Sequence, residues 1–423
     1  ISYMKFSFQA SLLILYLIGA YLNMSLFITE TIFVPNVISY FCAICLLLFQ
    51  VNKSAKLNFI YFFLGIIIIS ILSIIFSPNL AAGIFKEKLL SFVQLFLSLV
   101  SFLAVILTLY DMNPLKVSRI LGVFLCILLA GAFLERIIPP IGAISDYFRE
   151  TVYAFGVYTS EKRDISMVGF VRPNFFSREP SFLAHFIALF AILWHILSRN
   201  RYKTSILIFI LFFSIVITGS LKILLLVPAF LFLYLKDLKK LILKYHILVF
   251  FSFGLFMILF VVSSYYIFSE RIIDILSSKD QSFNMRILVP AAVIGFALAR
   301  YPFFGVGLGA KENSLAIFND TLTSFGYDWM VRLGYEPNFH SFSLEVIHFY
   351  GILGTLLMIY IFNKYLLRTF ERVDKYRFWG ILLLISMMGG SPFVGVRTWL
   401  TVAFLTYSIS ITDLQNKRRE HKS

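Results

Sequence analysis

The sequence predicts an all-α polytopic membrane protein with about twelve transmembrane helices, and three observations predict it. Of 423 residues, 60% are hydrophobic and only 14% charged, whereas a soluble domain is about half apolar and about a quarter charged. Apolar runs close to the roughly 20 residues that cross a bilayer at about 1.5 Å per residue recur along the whole chain. The basic residues gather in the pieces between alternate runs. With 49 Phe and 22 Tyr the chain is also far too aromatic to be disordered.

Residues 8–28, 32–50, 58–76, 89–110, 119–137, 179–197, 246–268, 340–362 and 393–411 read directly as spans. The first run is long enough to stay as an anchor rather than leave as a signal peptide. Residues 204–235 would form one helix of about 47 Å, too long for a single crossing. The break at Thr218-Gly219-Ser220 therefore divides it into a hairpin, 204–219 and 221–235, with Lys222 at its tip. The short run 378–390 is followed by Ser391-Pro392, which turns the chain into the last span.

Charge fixes the orientation. With both termini cytoplasmic, the pieces 1–7, 51–57, 111–119, 198–203, 236–245, 363–377 and 412–423 carry 21 Lys+Arg against 6 Asp+Glu, while the external pieces carry 13 of each sign. The formal charge of +15 thus lies on the cytoplasmic side, as the positive-inside rule requires, and gives no support to a nucleic-acid partner. Residues 287–299 are apolar, but counting them as a crossing would put 363–377, with five Lys/Arg, outside. They are expected to form a helix lying in or near the outer interface instead. The chain reads as one transmembrane domain over 1–423, with external loops 138–178 and 269–339 covering an outward-facing cavity.

Six ionisable residues fall within the spans: Glu135, Arg136, Glu179, Lys222, Glu345 and Arg397, each near an external helix end. Any one of them alone reads equally well as a side chain snorkelling to the interface. Six at one face suggest a wet cavity that they floor. The two long outer loops hold eight Arg against three Lys, and the cytoplasmic pieces eight Arg against thirteen Lys. Arginine binds phosphate with a planar fork that lysine lacks, so this bias points to an external phosphate or pyrophosphate site, with ordinary ion pairing as the alternative.

Metal motifs are missing from the sequence: there is no Asp-x-Asp and no His-Glu-x-x-His, and Cys42, Cys45 and Cys126 sit in apolar runs where packing is the default. Gly305-Val-Gly-Leu-Gly309 lacks the Lys-Ser/Thr of a phosphate-binding loop and reads as a weak signal or a flexible turn. His340 opens a span at the outer face, with Glu345 and His348 one to two turns below it. An imidazole there could take a proton from a sugar hydroxyl, or simply end a helix in the headgroup layer.

Four stretches resemble the bacterial O-antigen and capsular polysaccharide polymerase and O-antigen ligase superfamily. Arg172-Pro-Asn-Phe-Phe-Ser-Arg-Glu-Pro-Ser181 is similar to its Arg…Glu-Pro-Ser signature entering a span. Arg286 through Tyr301-Pro302-Phe-Phe-Gly-Val-Gly-Leu-Gly309 is similar to its Pro…Gly-x-Gly stretch, and His340-Ser-Phe-Ser-Leu-Glu through Gly351-Ile-Leu-Gly354 to its His…Gly-x-x-Gly span. Thr218-Gly-Ser-Leu-Lys222 resembles a Ser-Arg hairpin with Lys222 where Arg is usual, and Ser341 stands where Asn is common.

The resemblance implies a GT-C-like, inverting, metal-independent glycosyltransferase with no cofactor, in the bacterial inner membrane with its active site facing the periplasm. The implied donor and acceptor are glycans on undecaprenyl pyrophosphate, with membrane lipids around the protein and a chain-length regulator protein as a possible partner. Arg172, Lys222, Arg286, Arg178, Glu345 and Arg397 are the candidate pyrophosphate and substrate contacts. His340 is the candidate base and Glu179 its competitor. Glu179 precedes Pro180, so its carboxylate has a second reading as a helix cap paired with a nearby Arg. Two rival functions remain: an O-antigen ligase transferring the same glycan to lipid A-core, and a twelve-span secondary transporter, against which the absence of an internal repeat counts.

Overall fold

The computed structural model describes residues 2–27, 33–49, 57–78, 82–153, 164–165, 169–198, 203–220, 223, 284–334, 339, 341–387 and 392–420. The described chain is nearly all helical. In order come α1 (Ser2–Leu22), a two-residue antiparallel pair β1 (Leu26–Phe27) and β2 (Phe33–Val34), α2 (Val37–Leu48), α3 (Leu57–Phe76), α4 (Ala82–Asp111), α5 (Pro114–Ile137), α6 (Pro139–Val152), α7 (Pro180–Leu197) and α8 (Lys203–Thr218). After a π-turn at Asn284–Leu288 follow α9 (Val289–Arg300), α10 (Lys311–Ser324), α11 (Asp328–Arg332), α12 (Phe342–Ile361), α13 (Arg372–Met387) and α14 (Val396–Glu420).

Among the described residues, five helices are long and apolar enough to cross a membrane: Leu57–Phe76, Ile84–Asp111, Pro114–Ile137, Pro180–Leu197 and Phe342–Leu366. Five shorter helices are apolar as well. This is the make-up of a polytopic membrane protein. Helices occupy most of the segments predicted as spans, and α8 ends where expected, with the Gly219 N–H bonded to the Ile215 carbonyl at 2.9 Å. The predicted spans 221–235 and 246–268 lie outside the described residues, apart from Ile223.

Both predicted loops contain helices: α6 within 138–178, and α9 to α11 within 269–339. The helix α9 covers most of residues 287–299, which the sequence already marks as a helix outside the spans, whereas a search for bilayer-length apolar runs passes over α6, α10 and α11 because each is short and partly polar.

The chain gathers into two compact units. The first comprises residues 1–114, 282–375 and 389–423. In it α1 packs on α2, α2 and α14 on α4, and α3 on α12. Phe62, Phe102, Phe362 and Trp399 meet at its centre, with Phe62 and Phe362 rings 4.9 Å apart. The buried Trp399 indole N–H is satisfied by the Phe393 carbonyl at 2.8 Å. The helix α9 joins α10 and α12 through Val289, Val293, Ala297, Ile317 and Leu322. The second unit comprises residues 115–281 and 376–388. Here α7 packs on α8, Phe124 lies against Phe190, and Phe133 against Phe213.

Candidate functional site

In the first unit, α12 is a broken helix. At Gly351 its backbone takes φ 63° and ψ −166°, a conformation essentially only glycine adopts. The loop Tyr301–Gly307 fills the break. On one side of it, Val306 and Gly307 donate their N–H groups to the carbonyls of His348 (3.1 Å) and Phe349 (3.2 Å). On the other, the carbonyls of Pro302 and Phe303 accept the N–H groups of Ile352 (2.8 Å), Leu353 (3.1 Å) and Gly354 (3.3 Å). A Cβ on Gly305 would come within 2.7 Å of the Gly351 nitrogen. Interrupted helices survive at membrane depth only when the freed backbone groups find new partners, and this loop supplies them. The Gly-x-Gly-x-Gly run is therefore a close-packed splice rather than a flexible turn.

Around the splice, Ser73 on α3 donates to the Phe349 carbonyl at 2.8 Å and accepts the Leu308 N–H at 3.3 Å. Glu345 and His348, on the first half of α12, have different partners. The Glu345 carboxylate accepts the Phe393 N–H in the turn leading into α14. The fully buried His348 places Nε2 2.9 Å from the Ser314 hydroxyl of α10, with its ring 4.5 Å from that of Phe339.

Five ionisable residues near helix ends, Arg397, Lys88, Arg136, Glu345 and Glu135, share a pattern. Basic side chains reach helix C-termini. Arg397, 3% exposed, donates from Nε to the Ala20 carbonyl at 2.8 Å and from Nη2 to the Tyr21 carbonyl at 2.9 Å, closing the end of α1. Lys88, fully buried, donates to the Ser77 hydroxyl at 2.6 Å and the Pro78 carbonyl at 3.2 Å, just past α3. In the second unit, Arg136 donates to the Val216 carbonyl in the last turn of α8 and lies 3.6 Å above the Phe170 ring. Acidic side chains instead take N–H groups in turns that lead into helices: Glu345 before α14, and Glu135 before α7. The last four carbonyls of any helix lack internal partners, and their partial negative charge favours a cation.

The signature loop Arg172–Ser181 belongs to the second unit. The Glu135 carboxylate accepts the consecutive N–H groups of Asn174 (3.2 Å) and Phe175. From α6, Ser145 accepts the Phe176 N–H at 3.0 Å, and Tyr153 just after it donates its hydroxyl to the Phe176 carbonyl at 2.9 Å. Phe175 and Phe176 both have positive φ, 42° and 62°, which is strained for aromatic residues. The Phe175 ring occupies the space beside Gly131 that a Cβ would fill. Arg172 donates from Nε to the buried Asp164 at 2.7 Å, and its own N–H goes to the same carboxylate at 3.2 Å.

Glu179 occupies the N-cap position of α7, but its carboxylate takes no backbone N–H there. The Phe182 N–H goes to the Glu179 backbone carbonyl at 3.0 Å, and the carboxylate accepts the Ser181 hydroxyl at 2.9 Å instead. The helix-capping reading of Glu179 is corrected accordingly.

A family model, WcaD colanic acid polymerase, matches residues 11–411. The chain belongs to this family. It is a polysaccharide polymerase of the O-antigen and capsule type, and hence an enzyme of the glycosyltransferase kind. No curated protein and no solved structure matches it.

For this member of the WcaD family, the residues singled out from sequence divide between the units. Arg172, the half-buried Arg178 and Glu179 share one loop of the second unit. Glu345 and Arg397 both attach to the start of α14 in the first, where Arg286 lies in the π-turn before α9. His340 and Lys222 lie outside the described residues. Lys88, Ser145 and Asp164 were not singled out. Lys88 could have been, as a lysine one helical run away from the Ser77-Pro78 helix end, whereas nothing in the sequence pairs Asp164 with Arg172. Among the described residues no three His, Cys, Asp or Glu side chains gather to hold a metal ion.

Proposed function

We propose that the chain extends lipid-linked oligosaccharide repeat units at the external face of the membrane, in a twelve-span, GT-C-like, single-domain layout with both termini cytoplasmic. The donor is the growing glycan on polyprenyl pyrophosphate. The acceptor hydroxyl attacks the anomeric carbon with inversion, the bond to pyrophosphate breaks, and the hydroxyl proton passes to a base. His340 is that base, and Glu179 the competing candidate. Arg172, Arg178, Lys222 and Arg286 neutralise the charge developing on the leaving pyrophosphate, a role that a metal fills in other transferases.

The observation that carries this reading is the family match along nearly the whole chain, which also favours polymerase over ligase and transporter. The strained, fully tethered loop Arg172–Ser181 supports the placing of the site, since backbone strain concentrates where a fixed geometry is needed. Purified protein in liposomes, given a lipid-linked repeat unit, should lengthen the glycan. Transfer only to lipid A-core, or passage across the bilayer without extension, would refute the reading. Reporter tags at Asn200, Lys240, Phe370 and the C-terminus should mark the cytoplasm, and tags at Tyr158 and Thr321 the outside.

A further inference from the structure

We propose that α6 is a bilayer-surface helix whose exposed face inserts among lipids while its opposite face grips the signature loop. The membrane-crossing α5 ends at Ile137 and α6 begins at Pro139, so a single extended residue, Ile138, separates them. Along α5 the exposed residues Val123, Ile127, Leu134 and Ile137 fall at helical spacing, the pattern of a lipid-facing stripe. That exposed apolar surface continues onto α6. Pro140, Ile144, Tyr147 and Thr151, four, three and four residues apart, form one exposed stripe, with Ile144 59% and Tyr147 73% accessible.

The other side of α6 is committed to protein. Ser145 and Arg149 are buried, Ser145 holds the Phe176 N–H, and the Phe148 ring meets that of Phe176 at 5.3 Å. Arg149 pairs with Asp146 one turn earlier.

Lipid is the occupant that this geometry selects. A helix tied by one residue to the end of a span starts at the bilayer surface, and an apolar face there lies about 5–10 Å into the boundary between headgroups and acyl chains. Tyrosine is the side chain favoured at that depth. The stripe carries no Lys or Arg, so insertion rests on apolar contact and the tether rather than on attraction to anionic lipid. As a consequence α6 sets the level of Phe176, and with it of the Arg172–Ser181 loop, near the plane of the headgroup phosphates. The inference needs only a membrane-embedded α5 and stands apart from the reaction proposed above.

The test uses the full chain with Cys42, Cys45 and Cys126 replaced by Ala and one fluorophore-bearing cysteine introduced by Ile144→Cys or Tyr147→Cys. In phosphatidylcholine vesicles, brominated acyl chains should lower the emission at both positions by about twofold or more, with no dependence on added anionic lipid. Aqueous iodide should leave both nearly unchanged. Quenching by iodide but not by brominated lipid would overturn the proposal, and so would shielding from both, which would report a protein covering the face. Hydroxyl-radical footprinting of the unmodified chain in nanodiscs gives a second reading on native Tyr147: protection supports the proposal, and oxidation at the rate of a water-exposed tyrosine refutes it.

Discussion

Ile352 begins the second half of α12 by donating its N–H to the carbonyl of Pro302 at 2.8 Å, so a residue fifty positions earlier supplies the hydrogen bond that the break at Gly351 removes. Two motifs that look unrelated in sequence, the Gly-x-Gly-x-Gly run and the Gly-x-x-Gly span, are thus two halves of one joint. Gly351→Ala must force alanine into glycine-only backbone and press its Cβ to 2.7 Å from the Phe303 carbonyl oxygen. The backbone term alone costs about 1–3 kcal/mol, and a lowered melting temperature in detergent should follow. Gly295→Ala is the control: a Cβ there meets nothing within 4 Å, and a gain of about 0.5–1 kcal/mol in helix propensity is expected. Equal melting of Gly351→Ala and wild type would disprove the splice.

Arg397 should behave as a structural residue. Arg397→Met removes the donors to the Ala20 and Tyr21 carbonyls, leaving buried acceptors that cost about 1–3 kcal/mol each. The expected result is a clear loss of thermal stability, the same with or without added polyprenyl pyrophosphate. A variant that melts normally yet no longer binds the lipid would return Arg397 to the phosphate site.

The helical, membrane-embedded character of the chain and the end of α8 before Gly219 were legible because apolar runs and a Gly-Ser break are local signals. That ionisable residues fall near helix ends was also visible, but not the partners they find there. Charged side chains at one membrane face suggest a wet cavity when only sequence distance is known. What decides between a cavity and a helix end is whether Arg397 lies near Ala20 or Lys88 near Ser77, contacts that α1 and α3 make only once the helices pack. The helix α6 was missed for a similar reason: its exposed stripe is short and ends on Thr151, and its polar side becomes meaningful only when Phe176 arrives at Ser145.

Arg172 has two possible duties, and two substitutions separate them. Its Nε is held by Asp164, so Asp164→Asn should loosen the loop and lower stability while keeping the guanidinium charge. Arg172→Lys keeps a positive charge but loses the planar fork. If Arg172 contacts pyrophosphate, Arg172→Lys should depress chain extension and weaken protection by polyprenyl pyrophosphate more than Asp164→Asn does at equal stability. Arg286→Lys should act likewise, and Lys222→Arg should be tolerated or improved. Normal activity in both Lys variants would exclude bidentate phosphate recognition at these positions.

The base is decided by comparing His340→Ala with Glu179→Gln. If His340 accepts the proton, its loss should leave donor binding intact and slow transfer by on the order of 10² to 10⁴. Glu179→Gln removes a carboxylate that makes no helix cap and accepts only the Ser181 hydroxyl among the described residues, a bond an amide oxygen can also accept. That variant should therefore melt like wild type, and any loss of activity in it reports chemistry rather than folding. Chain extension of a lipid-linked repeat unit, measured beside the melting temperature in detergent, reads both. Wild-type extension by His340→Ala together with a folded but inactive Glu179→Gln would make Glu179 the base, because the residue whose removal stops proton transfer without disturbing the fold is the one that takes the proton.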